Sequence, residues 1–316
     1  MLRAALAEPS HAYLFVGPPQ VGKTATALAF AQALNCPAAH AAPDPQAADA
    51  CGVCVECRSI ANANHPDVRF VEPSEGKKVF AVDQVRKLVE EVGWKAYRAR
   101  HKVYVIPTDL LNVQGANTLL KTIEEPQPGT VLILVATSLD HVLPTLVSRC
   151  QPVFFGPVAP EAIAPWLETN HGVPTARAQH LARVSDGRIG WALAVSQSGD
   201  LPEPTMLAAE TYAAALVEAE KLAGEDAETQ QLALEALIAQ VRDMMVYQQT
   251  RRHDWIARPE QAARAAERHL PLGYWMRVIK RLEQARRELS AHANARLLWT
   301  VLAGDLQPTA IERSGA

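Results

Sequence analysis

Residues Gly17-Pro-Pro-Gln-Val-Gly22-Lys23-Thr24 fit the pattern G-x-x-x-x-G-K-[ST]. Loops of this composition turn their backbone N–H groups inward around phosphate oxygens, and the positive end of a following helix adds to the attraction. Lys23 is the residue type to reach the β- and γ-phosphates, and the Thr24 hydroxyl suits a Mg²⁺ ion. Hydrolysis asks for more: a carboxylate at the end of a second strand, to hold the metal and polarise the attacking water. The best candidate for that strand, Val103-Tyr104-Val105-Ile106, runs into Pro107 and Thr108 with no acid in place. The nearest carboxylate, Asp109, is three residues beyond Ile106 and is expected to cap a helix starting near Leu110.

A second constellation is made of thiols. Cys36, Cys51, Cys54 and Cys57 follow the spacing C-x14-C-x2-C-x2-C. Four thiolates can close a tetrahedral Zn²⁺ site that leaves no open position, which makes such a site structural. An iron–sulfur cluster and four unconnected small apolar residues are the alternatives. The intervening Ala38 to Ala50 is rich in Ala, Pro and Asp, and is expected to be a loop that needs the metal to be ordered.

These residues must be held by regular elements. Tyr13–Val16, Val68–Val71, Val103–Ile106 and Val131–Ala136 read as strands, and the last is apolar on both faces, as a buried parallel strand requires. An Ala-rich stretch, Ala25 to Leu34, reads as the helix opened by the phosphate-type loop. Val82, Val85, Leu88, Val89 and Val92 form a helical stripe, and Ala116, Leu119, Leu120 and Ile123 form another that Pro126 stops. Alternation of strands and helices implies an α/β domain with a parallel sheet. A Pro-rich bridge is expected at Gln151–Pro160, and a second break at Gly199–Pro204. The expected organisation is therefore an α/β P-loop domain over 1–155 with the Cys module at 36–57, a small helical lid over 156–199, and an all-α region over 200–316.

Composition narrows the function classes. An apolar content of 48% with 21% charged residues fits a soluble globular chain. No apolar run approaches the ~20 residues that span a bilayer, and the amino terminus lacks a secretory pattern; the expected location is the cytoplasm. A net charge of −3 argues against wholesale electrostatic binding of nucleic acid. Charge is uneven in the helical region, however. Residues 200–246 carry ten acids and two bases, whereas 251–296 carry eleven bases and five acids. Solvated helix faces account for such a division; a packing surface for neighbouring subunits, or a patch facing DNA, is the alternative.

A phosphate-type loop followed closely by a four-cysteine insertion is an unusual pairing. It resembles the bacterial DNA polymerase III clamp-loader subunits of the AAA+ class. His65-Pro66-Asp67, Val82-Asp83-Gln84-Val85-Arg86, Asn117-Thr118-Leu119-Leu120-Lys121-Thr122-Ile123-Glu124-Glu125-Pro126 and Leu143-Pro144-Thr145-Leu146-Val147-Ser148-Arg149-Cys150 carry the likeness, which covers residues 12–156. The resemblance implies an AAA+ fold and a place in a hetero-oligomer with gamma/tau and delta subunits, acting through a sliding clamp on primed DNA. It implies that Arg149, with Ser148 before it, projects into the ATP site of a neighbouring subunit. An arginine suits that role because it stays charged and grips phosphate oxygens with a planar fork.

The same resemblance implies a γ-phosphate-sensing position at Thr137. Motor subunits of the family carry an Asp-Glu pair where this chain has Ile106 and Pro107, and a sensing Arg where it has Gly190. Arg188, two residues away, substitutes only if the turn differs. Members that bind nucleotide often have Gly at the position of Gln20, where a positive φ disfavours Gln. The pattern fits the non-motor, delta-prime branch, with hydrolysis in cis not expected and ATP/Mg²⁺ binding left open. One alternative is a self-sufficient P-loop ATPase of gamma/tau type, in which Glu124, Glu125 or Asp109 reaches the metal. A zinc-stabilised nucleic-acid-binding protein is another. Glu124 and Glu125 end a helix, where negative charge opposes the dipole, and are expected to meet a basic group.

Overall fold

The computed structural model describes residues 1–308 apart from 43, 45, 46, 78, 199–203, 253–255, 257–261, 263–267, 269 and 292. The break expected at Gly199–Pro204 and much of 251–270 therefore lie outside the described residues. The chain divides into two compact units, one of residues 1–159 with 187–190, the other of 160–186 with 191–316.

The first unit is built on a parallel sheet of β1 (Ala12–Val16), β2 (Val68–Phe70), β3 (Lys102–Pro107), β4 (Thr130–Ala136) and β5 (Gln151–Phe154), in the order β2-β3-β4-β1-β5. The central strands are buried on both faces, which explains their unbroken apolar runs. Their side chains alternate between two cores. Leu14, Ile106, Leu132 and Leu134 face α4 (Val82–Val92) and α5 (Val113–Glu124), where Val85, Leu88, Leu119 and Ile123 form the expected stripes. Tyr13, Phe15, Val105 and Ile133 face α1 (Lys23–Asn35), through Ala27, Phe30 and Leu34. Two short helices, α2 (Pro37–His40) and α3 (Val55–Ala61), follow α1, and α6 (Pro144–Val147) precedes β5.

The stretch read as a Pro-rich bridge is partly wrong. Residues 151–154 form β5, paired with β1 from Tyr13↔Gln151 to Val16↔Phe154. Pro152 has no N–H to donate to a ladder, and β5 is an edge strand whose outer side needs none. The segment after Cys36 also differs from the expected loop, because it begins as α2 and buries Ala39.

In the second unit, α7 (Pro160–His171) packs on α8 (Thr175–Val184), and α9 (Ile189–Ser198) belongs to it from Trp191 onward. Further along, α10 (Tyr212–Ala223), α11 (Ala227–Thr250), α12 (Leu272–Ser290) and α13 (Ala295–Asp305) share a core around Leu234, Leu237, Val278, Leu282 and Trp299. Two of the bases in the positively charged stretch are used inside this bundle. Arg277 donates to the Asp305 carbonyl at 2.6 Å, and Arg281 pairs with the Asp305 carboxylate at 2.7 Å, both at the negative end of α13.

Candidate functional site

A parallel sheet has two chemically different ends, and the candidate residues sort between them. At the carboxyl end, β1 stops at Val16 beside Ala136 of β4, and Pro107 of β3 lies beside Val135. The phosphate-type loop leaves β1 here and feeds α1, the end at which open α/β sheets hold ligands. Gly17 is required by close approach, since a Cβ would collide with the Phe155 carbonyl. The Gly17 N–H donates to the Ala136 carbonyl at 3.2 Å, tying the loop to β4.

Lys23 is buried, and its ammonium donates to the carbonyls of Gly17 at 2.5 Å and Pro18 at 2.6 Å. The group that would meet phosphate thus rests on its own loop. Burial lowers its pKa from the ordinary lysine value, and the nearby Asp109 carboxylate opposes that shift. Thr24 is exposed in the first turn of α1.

Gln20 adopts φ 62°, the left-handed region that the sequence reading took to disfavour it. Its carbonyl accepts the Gly190 N–H at 2.8 Å. A Cβ at Gly190 would stand 3.1 Å from that same carbonyl, so the close approach favours glycine there.

Asp109 does not cap a helix. It lies in a single 3-10 turn, Thr108–Leu110, and Asn112 caps α5 by accepting the Gly115 N–H at 2.7 Å. Asp109 instead accepts the Thr137 N–H at 2.9 Å, bridging the ends of β3 and β4. The Thr137 hydroxyl pairs with His141 Nδ1 at 3.0 Å. Asp109, Thr137 and Lys23 therefore belong to one neighbourhood, with Asp109 oriented by Thr137.

The amino end of the sheet carries the remaining candidates. The four cysteine sulfurs lie within 4.8 Å of one another. Arms of ~2.3 Å in a tetrahedron separate sulfurs by about 3.8 Å, so the cluster suits a four-thiolate metal ion after a small contraction. Backbone N–H groups already point at the sulfurs: Cys51 N to Cys36 Sγ, Cys54 N to Cys51 Sγ and Cys57 N to Cys54 Sγ, each at 3.4 Å. Donors of this kind steady metal-bound thiolates. The N–H groups of Val53 and Cys54 draw the Cys51 thiol down to about 6, whereas burial pushes Cys57 up.

Beside this module, the sequence reading missed a network centred on Asp67. Its carboxylate accepts the N–H groups of Tyr97 at 2.8 Å and of Arg98 and Ala99 at 2.9 Å. Burial acts to raise its pKa, but these three bonds outweigh burial and hold it below the ordinary aspartate value. Buried His65 accepts the Asp67 N–H through Nδ1 at 3.0 Å, leaving Nε2 to donate to Glu56 at 2.6 Å. His65-Pro66-Asp67 had been singled out in the sequence only as part of a motif.

Arg149 also stands at the amino end, just before Gln151 opens β5. The rise from Gln151 to Phe154 alone puts roughly 10 Å of strand between it and the loop end of the sheet. Its Nε donates to Glu124 at 2.6 Å, and its Nη1 to the Thr145 carbonyl at 3.0 Å and Ser148 Oγ at 3.2 Å. The basic group expected near Glu124 and Glu125 is therefore Arg149, and it meets Glu124. Cys150 is buried, and burial pushes its thiol up to about 11.

Residues 3–159 match the family model described as DNA polymerase III, delta subunit. A DNA polymerase III subunit delta' from Pseudomonas aeruginosa is 43% identical over 145 residues, 46% of this chain and 42% of that protein. A DNA polymerase III subunit tau from Bacillus subtilis is 34% identical over 208 residues, 61% of this chain and 34% of that protein. The matched part thus spans less than half the length of either relative. The crystal structure of a DNA polymerase III gamma subunit-related protein from Thermotoga maritima covers 96% of the chain and 97% of its own, with TM-score 0.50 and 14% identity, a likeness of fold. Over residues 3–159 the chain is delta-prime-like. Among the described residues, no helix is long and apolar enough to cross a membrane.

Proposed function

We propose that this delta-prime-like chain is a non-motor subunit of a replicative clamp loader, which donates Arg149 to a neighbouring subunit's ATP site and so helps load a sliding clamp onto primed DNA. The observation that supports the reading is the placement of Arg149 at the sheet end opposite the chain's own phosphate-type loop, a position from which an arginine serves another subunit's nucleotide rather than its own. The loop supports the same reading. Ile106 and Pro107 offer no carboxylate, Gly190 offers no cation, and Lys23 is engaged by its own loop. The loop then acts as architecture, and any ATP/Mg²⁺ it holds is not turned over by this chain.

The module of Cys36, Cys51, Cys54 and Cys57 is a structural Zn²⁺ site in this reading. A metal bound there fastens the segment after α1 to α3 and takes no part in the chemistry. The helices from α10 onward serve as the oligomerisation collar, and α7–α9 as the lid, with domain limits at 1–155, 156–199 and 200–316.

A gamma/tau-like motor is the competing reading, and one observation favours it: the Asp109 carboxylate lies close enough to Lys23 to oppose the lowering of its pKa by burial. Its engagement with the Thr137 N–H weighs against use as a metal ligand. Turnover of ATP separates the two. The purified chain alone is expected to hydrolyse none, while the assembled complex loses DNA-dependent turnover on Arg149→Ala without losing assembly. Hydrolysis by the isolated chain that Lys23→Ala abolishes would establish the motor instead.

A further inference from the structure

We infer that Glu124 is a positioning residue for Arg149, fixing the guanidinium in the orientation that meets a neighbouring subunit's phosphates; this rests on the trans role proposed above. The guanidinium plane carries five N–H donors. Two of its three nitrogens are held, from two separate elements. Glu124, at the last turn of α5, takes Nε, while the Thr145 carbonyl and Ser148 Oγ, from α6 and its cap, take Nη1. Ser148 Oγ is itself oriented by donating to the Thr145 carbonyl at 3.1 Å. With Nε and Nη1 engaged, Nη2 has no hydrogen-bond partner among the described residues, which leaves its two N–H donors for phosphate oxygens.

Glu124 has no evident stabilising reason to be acidic. It sits at the negative end of α5, where a carboxylate is unfavourable. Its ion pair with Arg149 is 46% and 38% exposed at the two side chains, a setting in which such pairs add little to folding. The adjacent Glu125 ends α5 by donating its backbone N–H to the Lys121 carbonyl, and the carboxylate paired with the arginine is that of Glu124. What the pair does is restrict a long side chain before its partner arrives, so less of that ordering falls on the step that uses it.

The test is ATP turnover, with primed DNA and clamp present, of complexes assembled with Glu124→Ala, Glu124→Gln, Arg149→Ala and the Glu124→Ala/Arg149→Ala pair. Loss of one held side chain predicts a roughly two- to tenfold fall for Glu124→Ala, a smaller fall for Glu124→Gln, which keeps an acceptor for Nε, and no further fall when Glu124→Ala is added to Arg149→Ala. An equal loss from Glu124→Ala in both backgrounds would assign Glu124 a general structural role and overturn the inference. So would full activity of Glu124→Ala beside a strongly impaired Arg149→Ala. Full activity of Arg149→Ala overturns the trans role itself, and the inference with it.

Discussion

The two ends of the sheet in the first unit present opposite designs. At the carboxyl end, the phosphate-type loop has the sequence for nucleotide chemistry, yet its charged residue is folded onto Gly17 and Pro18, and its backbone is tied to Gly190 through Gln20. At the amino end there is no nucleotide motif, yet Arg149 stands exposed with its Nε and Nη1 held. At the same end, toward the β2 side of the sheet, the Asp67 network and the four cysteines fasten the loops that join α1, α3, β2 and β3. On the proposed reading, the motif that announces an enzyme is the part least arranged to act, and Arg149 sits where one chain cannot use it on its own nucleotide. A subunit that works on its neighbour needs a rigid amino end more than an open loop.

The largest expected effect breaks the comparison most directly. In the assembled complex, Arg149→Ala should lower turnover by ~10³–10⁵-fold, the range for losing an arginine finger. Lys23→Ala, at the other end of the sheet, should change the same rate by less than about tenfold, through packing alone. Steady-state hydrolysis by the two complexes, prepared side by side, provides the measurement. Comparable losses would return function to the loop.

Next in size is the metal. One Zn²⁺ per chain should be found by elemental analysis. Cys51→Ser should abolish it and destabilise the first unit by on the order of 3 kcal/mol in denaturant unfolding. Fully stable, metal-free protein would mean that the N–H···S bonds alone hold the module, and that the amino end is less dependent on metal than the four thiols imply.

Asp67 comes third. Replacing it with Asn removes a charged acceptor from three backbone N–H groups and should cost about 2–3 kcal/mol at neutral pH. The sign of its pH dependence follows from a folded-state pKa held below the ordinary value. Its contribution is present in full above the unfolded aspartate value of about 3.9 and is lost as pH falls through the depressed folded value. The gap in stability between parent and Asp67→Asn should therefore narrow below about pH 4. A gap that is constant from pH 7 to pH 3 would show that the three bonds do not depend on the charge.

Much of this layout was legible in the sequence, and the failures share a cause. Strands buried on both faces advertise themselves by unbroken apolar runs, and α4 and α5 by stripes of helical spacing. Strand β5 did not, because it pairs on one side only, exposes most of its residues and contains Pro152. The loop and the cysteines are local patterns, readable at short range. Asp109 was misjudged because its partner, Thr137, lies 28 residues away, and local capping rules do not see that far. Glu124 could be recognised as awkward at a helix end, but its partner Arg149 is 25 residues distant and meets it only once the sheet places α5 beside α6.

The smallest effect bears on the carboxyl end alone. Gln20 is held at φ 62° while its carbonyl accepts the Gly190 N–H. A side chain in that region costs roughly 1–2 kcal/mol that glycine does not incur, and the greater freedom of glycine in the unfolded chain cancels up to about 1 kcal/mol of the gain. Gln20→Gly should therefore change stability by between about zero and 2 kcal/mol, toward greater stability. It also restores the residue type common in nucleotide-binding loops of this family, and so separates two explanations for a quiet loop. If Gln20 alone keeps ATP out, the Gly variant should bind ATP in a calorimetric titration where the parent does not. If the loop is closed by Lys23 on its own carbonyls and by the strap to Gly190, neither of which depends on the Gln20 side chain, the variant should gain stability and no affinity. The geometry favours the second outcome, because every hydrogen bond that closes the loop runs to a backbone atom that Gln20→Gly leaves in place.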